Sequence, residues 1–340
     1  MQVEAGAITR DYIRGLHQKI LLLVALLVMV FVVGVYAIVQ GSYDIAMRDI
    51  LSVLFGGGRG ASRVVITSIR LPRVVAALVC GAGLSISGLS IQSLLKNPLG
   101  SPSTLGISQG AAFGAASAIV VFGSKAISVT AFAFLGAITA TLVILALASL
   151  RRLSPEAIIL AGVALSSLFA SATILIQYLA TETELAMVVF WTFGDVARSN
   201  WREIALTTGL VFVAILYLIA LRWDLNTISL GEETAKGLGV KVERIRFSGM
   251  VSAALVSALT TAYHGVIAFV GLIAPHMARQ LVGDDHRLLI PFSAVLGALL
   301  LLMADTFGRI LIGSGALPVG VITSFLGAPM FLYLLMRGYR

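Results

Sequence analysis

Cysteine is almost missing from this chain of 340 residues: its single example, Cys80, sits inside an apolar run. One cysteine builds neither a disulfide framework nor a cysteine-based metal site, so Cys80 reads as a small buried side chain. Charge is scarce as well. Asp, Glu, Lys and Arg make up 12% of the residues, about half of what a soluble domain carries. Histidine is thin and scattered, with His17, His264, His276 and His286 on separate segments. His264 and His276 could approach each other in a fold, but no metal ligand is assigned. Catalytic motifs are missing too. The glycine run at 56–58 has no Gly-Lys-Ser/Thr after it, and neither HExxH nor GxSxG occurs. No catalytic residue is assigned. Asp305 is the only carboxylate placed within a spanning segment, near its outer end. A proton-coupled carrier needs ionisable groups near the midplane, so an energy source outside this chain becomes attractive.

What fills the space is apolar. Hydrophobic residues are 59% of the chain and the mean hydropathy is +1.01. This is an all-α polytopic membrane protein. The net charge of +8 does not call for nucleic acid, because loop arginines and lysines set orientation and meet anionic lipid. Residues 1–19 read as a polar cytoplasmic tail and 20–340 as a single transmembrane domain. The run 20–39 is long enough to span and has no small-residue cleavage site, so it is not read as a cleavable signal.

Nine further apolar segments follow, near 64–95, 103–122, 127–150, 155–180, 202–221, 247–263, 265–282, 288–310 and from 317 onward. Pro275 interrupts the eighth segment. Ten crossings put both termini inside. The strongest basic clusters then fall on the cytoplasmic side: Arg10 to Lys19, Arg151 with Arg152, Lys236 to Arg246, and Arg337 with Arg340. Residues 181–201 form an external, mildly acidic loop with Trp191 and Trp201 as interface anchors.

Polar residues inside these segments are patterned. Gly81, Ser85, Gly88 and Gln92 recur at helical spacing on one face of the second segment. Gly162, Ser166, Ala170, Thr173 and Gln177 do the same on the fifth, widened by Ser167 and Ser171. Each face either packs closely on a neighbour or borders a wet pathway. A helix-breaking turn, Asn97-Pro98-Leu99-Gly100, ends the second segment, and the fifth starts after Ser154 with Pro155 in its first turn. In the internal loop 222–246, Gly231 and Gly237-Leu238-Gly239 bracket a short helix from Glu232 to Lys236. Solvation alone would satisfy its charges, but the apolar Leu230, Ala235, Leu238 and Val240 suggest a docking surface. Arg59, Arg63, Arg70, Arg73 and Arg309 fall on the outer side. They either snorkel to the interface or bind an acidic partner.

RLPR at 70–73 with GAGLSISGLSIQSLLKNPLGSPSTLGISQGAAFG at 81–114 resembles the signature of type II ABC-importer permeases of iron-siderophore, haem and cobalamin uptake. LAGVALSSL at 160–168, SLGEETAKGLGV at 229–240, GVIAFVGLIAPHMAR at 265–279 and LPVGVITSFLGAPMFLYLL at 317–335 resemble it too, in the family's order. Ser101 stands where the family usually has an acidic residue.

The resemblance implies a type II importer fold working as a homodimer, with two ATP-binding subunits beneath and one extracytoplasmic binding protein above. ATP and Mg would sit on the partner ATPase, with no cofactor on this chain. It implies ATPase coupling at Gly231, Glu232, Glu233, Ala235, Gly237, Leu238 and Gly239, and binding-protein docking at Arg70, Arg73 and Arg309. The pathway maps to Gly162, Ser166, Ala170, Thr173 and Gln177, and the cytoplasmic gate to Asn97, Leu99, Ser154 and Pro155. A prokaryotic cytoplasmic membrane is the expected location, and a ferric siderophore the expected cargo, with cobalamin or haem as alternatives. An ion-coupled secondary transporter and an intramembrane enzyme using His264 or His276 are the readings from other classes.

Overall fold

The computed structural model describes residues 2–41, 43, 45–54, 57, 60–123, 126–311 and 317–336. Within these, the side chains of 2–12, 51, 54, 126, 127, 334 and 335 are not described. Gly56, Gly58, Arg59, Arg337 and Arg340 therefore lie outside the described residues, as does the side chain of Arg10.

The described chain is a succession of helices. They are α1 (Gln2–Val39), α2 (Met47–Leu54), α3 (Ala61–Leu95), α4 (Ile107–Phe122), α5 (Ala126–Ser149), α6 (Pro155–Leu179) and α7 (Glu182–Thr192). Then come α8 (Trp201–Ala220), α9 (Arg222–Leu230), α10 (Glu232–Gly237), α11 (Val242–His264), α12 (Val270–Val282), α13 (His286–Leu311) and α14 (Val319–Met336). Among the described residues, seven helices are long and apolar enough to cross a membrane: α1, α3, α5, α6, α8, α11 and α13. The remaining expected crossings are shorter. Apolar stretches Ile107–Phe122 and Val319–Tyr333 fall below that length. α12 has 13 residues, about 20 Å of helix.

α1 runs unbroken from Gln2, so the polar tail continues as helix into the first crossing. Three expectations are corrected. The external loop 181–201 holds a helix, α7, opened by a capping box in which Thr181 and Glu184 satisfy each other's backbone N–H groups. The internal loop 222–246 is mostly helical, in α9, α10 and the start of α11. Pro275 also fails to break its segment, since α12 continues through it.

α3 is the centre of the bundle, and small residues put it there. A methyl on Gly81 would collide with the carbonyl of Gly297 in α13, and one on Gly88 with the carbonyl of Gly271 in α12. Backbones can approach this closely only without a Cβ. Ser85 Oγ donates to Ser293 O at 2.6 Å. Gln92 Nε2 donates to Leu272 O at 3.2 Å and approaches Gly271 O at 3.5 Å. Gly271 O is the carbonyl that Pro275, lacking an N–H, cannot serve. Of the two readings of the Gly81–Gln92 face, packing accounts for all four residues.

Candidate functional site

The bracketed helix α10 exists because glycine surrounds it. Gly231 adopts φ +137° and Gly239 φ +86°, conformations that a residue with a Cβ enters only under strain. Gly239 N donates to Lys236 O and Val240 N to Ala235 O, both at 3.0 Å, closing the helix with a left-handed cap. Ala235 is buried and anchors α10 to the bundle, while Glu233, Gly237 and Gly239 are exposed and Gly231 and Glu232 half-buried. Leu230 and Leu238 are 73% and 69% exposed. Two leucines held out from a charged segment by a rigid turn form a small knob, which lies at the end of the bundle carrying Arg151 and Arg152.

Glu232 faces inward from this knob. It pairs with Lys236 at 2.9 Å and with Arg246 at 2.8 Å. Burial works to raise its pKa, but hydrogen bonds from Arg246 and Lys236 and their charges outweigh this and hold it below the ordinary value. The pairing is therefore complete at neutral pH and lost only as pH falls through that lowered value.

Arg246, on α11, is 1% exposed. Its Nε donates to Leu94 O at 3.1 Å and its Nη1 to Leu153 O at 2.8 Å. Leu94 O needs such a donor. Its helical partner would be residue 98, which is Pro98. A cation at the C-terminal end of α3 also suits the helix dipole. The sequence reading counted Arg246 among the cytoplasmic basic residues and missed this role. The one signal for it was the missing N–H of Pro98.

The two helix breaks lie beside this arginine. After α3, Lys96 turns left-handed at φ 48°, and Asn97 Oδ1 accepts from Leu99 N at 2.9 Å, presenting Leu99 at 45% exposure. Before α6, Arg152 and Leu153 both take φ 53°. Ser154 Oγ then caps the helix by accepting from Ala157 N at 3.3 Å, and Pro155 fills the first turn. The structure thus brings Glu232 of the coupling set to one guanidinium that also holds Leu94 and Leu153, which flank the two expected gate turns. A second tie reaches the end of α3 from α9. Asn226 Oδ1 and His286 Nδ1 are 2.7 Å apart, and His286 Nε2 shares a 2.7 Å hydrogen bond with Ser93 Oγ.

At the opposite end of the bundle, Arg70, Arg73 and Arg309 are drawn inward. Arg70 donates to Ile38 O and Val39 O, both at 2.8 Å, and to Tyr43 O. Arg73 meets Asp305 at 2.8 Å, and Arg309 meets the same carboxylate at 3.3 Å. Arg309 also donates to Ala37 O at 2.9 Å. The three arginines therefore close the C-terminal carbonyls of α1 and neutralise a buried carboxylate, instead of standing at the surface.

The α6 stripe is divided. Gly162 and Thr173 are buried, Ser166 and Gln177 half-buried, and Ala170 exposed beside the exposed Ser167 and Ser171. A Cβ on Gly162 would touch Leu105 at 3.2 Å, so this edge packs on the turn before α4. The hydroxyls of Ser166 and Thr173 return to their own helix, on Gly162 O and Phe169 O. Among the described residues, no group of three or more His, Cys, Asp or Glu is placed to hold a metal ion.

The chain is 48% identical over 335 residues to MJ0087 of Methanocaldococcus jannaschii, described as an ABC transporter permease, covering 95% of this chain and 96% of that one. It is 37% identical over 287 residues to the vitamin B12 import system permease BtuC of Vibrio cholerae, covering 84% and 86%. A solved structure described as an inward-facing metal-chelate type ABC transporter superposes with a TM-score of 0.83 at 31% identity, covering 94% of this chain and 100% of that one. Residues 21–337 match the FecCD transport family. A multi-pass helical chain with the permease fold, matched over almost its whole length, belongs to the FecCD transport family of ABC-importer permeases.

Proposed function

We propose that this permease moves a metal chelate, a ferric siderophore first of all, into the cytoplasm of a prokaryote across its cytoplasmic membrane. ATP and Mg are held by two partner ATP-binding subunits, and an extracytoplasmic binding protein delivers the cargo. The observation that carries this reading is the knob on α10. Its exposed Leu230 and Leu238 and its buried Ala235 make a surface built for contact with another protein, on the end that the basic clusters assign to the cytoplasm. Residues 231–239 are accordingly the ATPase-facing segment, and Asn97, Leu99, Ser154 and Pro155 the cytoplasmic gate.

A second copy of the chain completes the pathway. Support comes from α6, where Leu160, Leu168, Ile174 and Tyr178 are all exposed in the single chain. The small-residue edge at Ala170, flanked by Ser167 and Ser171, would line a neutral passage. Such a wall suits a bulky chelate handed through without tight binding. Arg70, Arg73 and Arg309 would serve binding-protein docking indirectly, by holding the outer ends of α1, α3 and α13 in register. Cobalamin is the second reading for the cargo, favoured by the likeness to a vitamin B12 permease, and haem fits the same neutral wall.

The test is purification from the native host in mild detergent, followed by mass spectrometry. A stoichiometric ATPase subunit is expected, with ATP hydrolysis stimulated by a ferric hydroxamate more than by cobalamin or haemin. Preparations free of any ATPase even under crosslinking would overturn the importer reading.

A further inference from the structure

The interior of a membrane protein is a costly place for a guanidinium, and Arg246 is among the largest fully buried side chains here. Its contacts run to three different elements: Glu232 on α10, Leu94 O at the end of α3, and Leu153 O in the turn before α6. Fixed fork geometry lets arginine hold several directions at once, which a lysine ammonium on one flexible stem cannot do. The α10 contact is also the one ion pair among the three, and Glu232 is half-exposed on the knob. The other two contacts fix main-chain carbonyls next to the expected gate residues.

From this we infer that Arg246 is the positioning residue linking α10 to the cytoplasmic gate. Displacement of α10 pulls Glu232, Glu232 pulls the guanidinium, and the guanidinium moves the carbonyls of Leu94 and Leu153 together. Both turns then shift as one, which places Leu99 and Pro155 under common control. The inference rests on the proposal that α10 faces the ATPase.

The experiment uses the assembled complex with its ATPase, with Cys80→Ala and single spin labels at Leu238 or Leu99, two exposed positions. In the parent complex, ATP should change the mobility of both labels. In Arg246→Gln, the Leu238 label should still respond, while the nucleotide-dependent change at Leu99 falls by about tenfold, a magnitude ordinary for loss of coupling between two sites. Arg246→Lys should fall between the two. A merely structural role would alter the resting Leu99 spectrum and the melting temperature, but leave the ATP-dependent part in place, and that result overturns the proposal.

If Arg246→Gln fails to fold, Glu232→Ala is the second variant. It removes the acceptor that Arg246 meets on α10 while leaving both carbonyls held, and the same loss at Leu99 is expected. An undiminished Leu99 response in Glu232→Ala overturns the link. A Leu238 label blind to ATP in the parent complex overturns the ATPase-facing assignment of α10, and this inference with it.

Discussion

Asp305 is wholly enclosed, at 0% exposure, and answers two guanidiniums, one from Arg73 on α3 and one from Arg309 one turn further along α13. A lone carboxylate in that position would be strongly disfavoured, and either arginine without it would be an uncompensated buried charge. Asp305→Ala should therefore cost about 3–5 kcal/mol, the range for removing one partner of a buried pair. Thermal unfolding in detergent measures it, and Asp305→Asn should recover part of the loss by keeping acceptor geometry. The sequence exposed the residues of this cluster but not their direction. Arg70, Arg73 and Arg309 read as outward-facing because they sit at helix ends. Their burial depends on the carbonyls of 37–43 for Arg70 and Arg309 and on Asp305 for Arg73, which no pattern in the arginines themselves reveals. Gln92 shows the reverse case. An amide in hydrocarbon had to have a partner, and Pro275 had to leave a carbonyl free, so both halves of that contact were legible separately.

The short helix α10 was readable because its boundaries are glycines with a mechanical purpose. Gly231 at φ +137° turns the chain from α9 into α10, and an alanine there would be strained by about 1–3 kcal/mol. Gly231→Ala should relieve that strain by tilting α10 away from Arg246. ATP hydrolysis without matching uptake in proteoliposomes is the expected outcome, and normal uptake per ATP would contradict it. Other elements were missed for definable reasons. α7 carries Thr181 and Glu184 at capping-box spacing, a start signal that its loop-like position between two crossings concealed. α9 begins two residues after α8 ends, with only Leu221 between them, so hydropathy alone registered the loss of an apolar run and not the persistence of a helix. α1 shows the same limit, since a polar start continues straight into a spanning helix.

For the chain as a whole, the order of apolar segments was plain from hydropathy, because a bilayer demands long runs in which every backbone group is bonded internally. Depth was not plain. α12 is about 20 Å long against a hydrocarbon core of about 30 Å, and it keeps its place through contact with neighbours: Gly271 against Gly88, and Leu272 O on Gln92. This has a consequence for how the protein is made. A segment that cannot cross by itself gives the insertion machinery little to recognise, so its partitioning depends on a receptor already present in the membrane. That receptor is α3, made nearly two hundred residues earlier (residue 88 against residue 271). Chain order is then part of the folding programme. A circular permutant in which α12 emerges before α3 should stall at the membrane surface, exposed to added protease. Co-expressing residues 1–123 as a separate fragment should restore its protection.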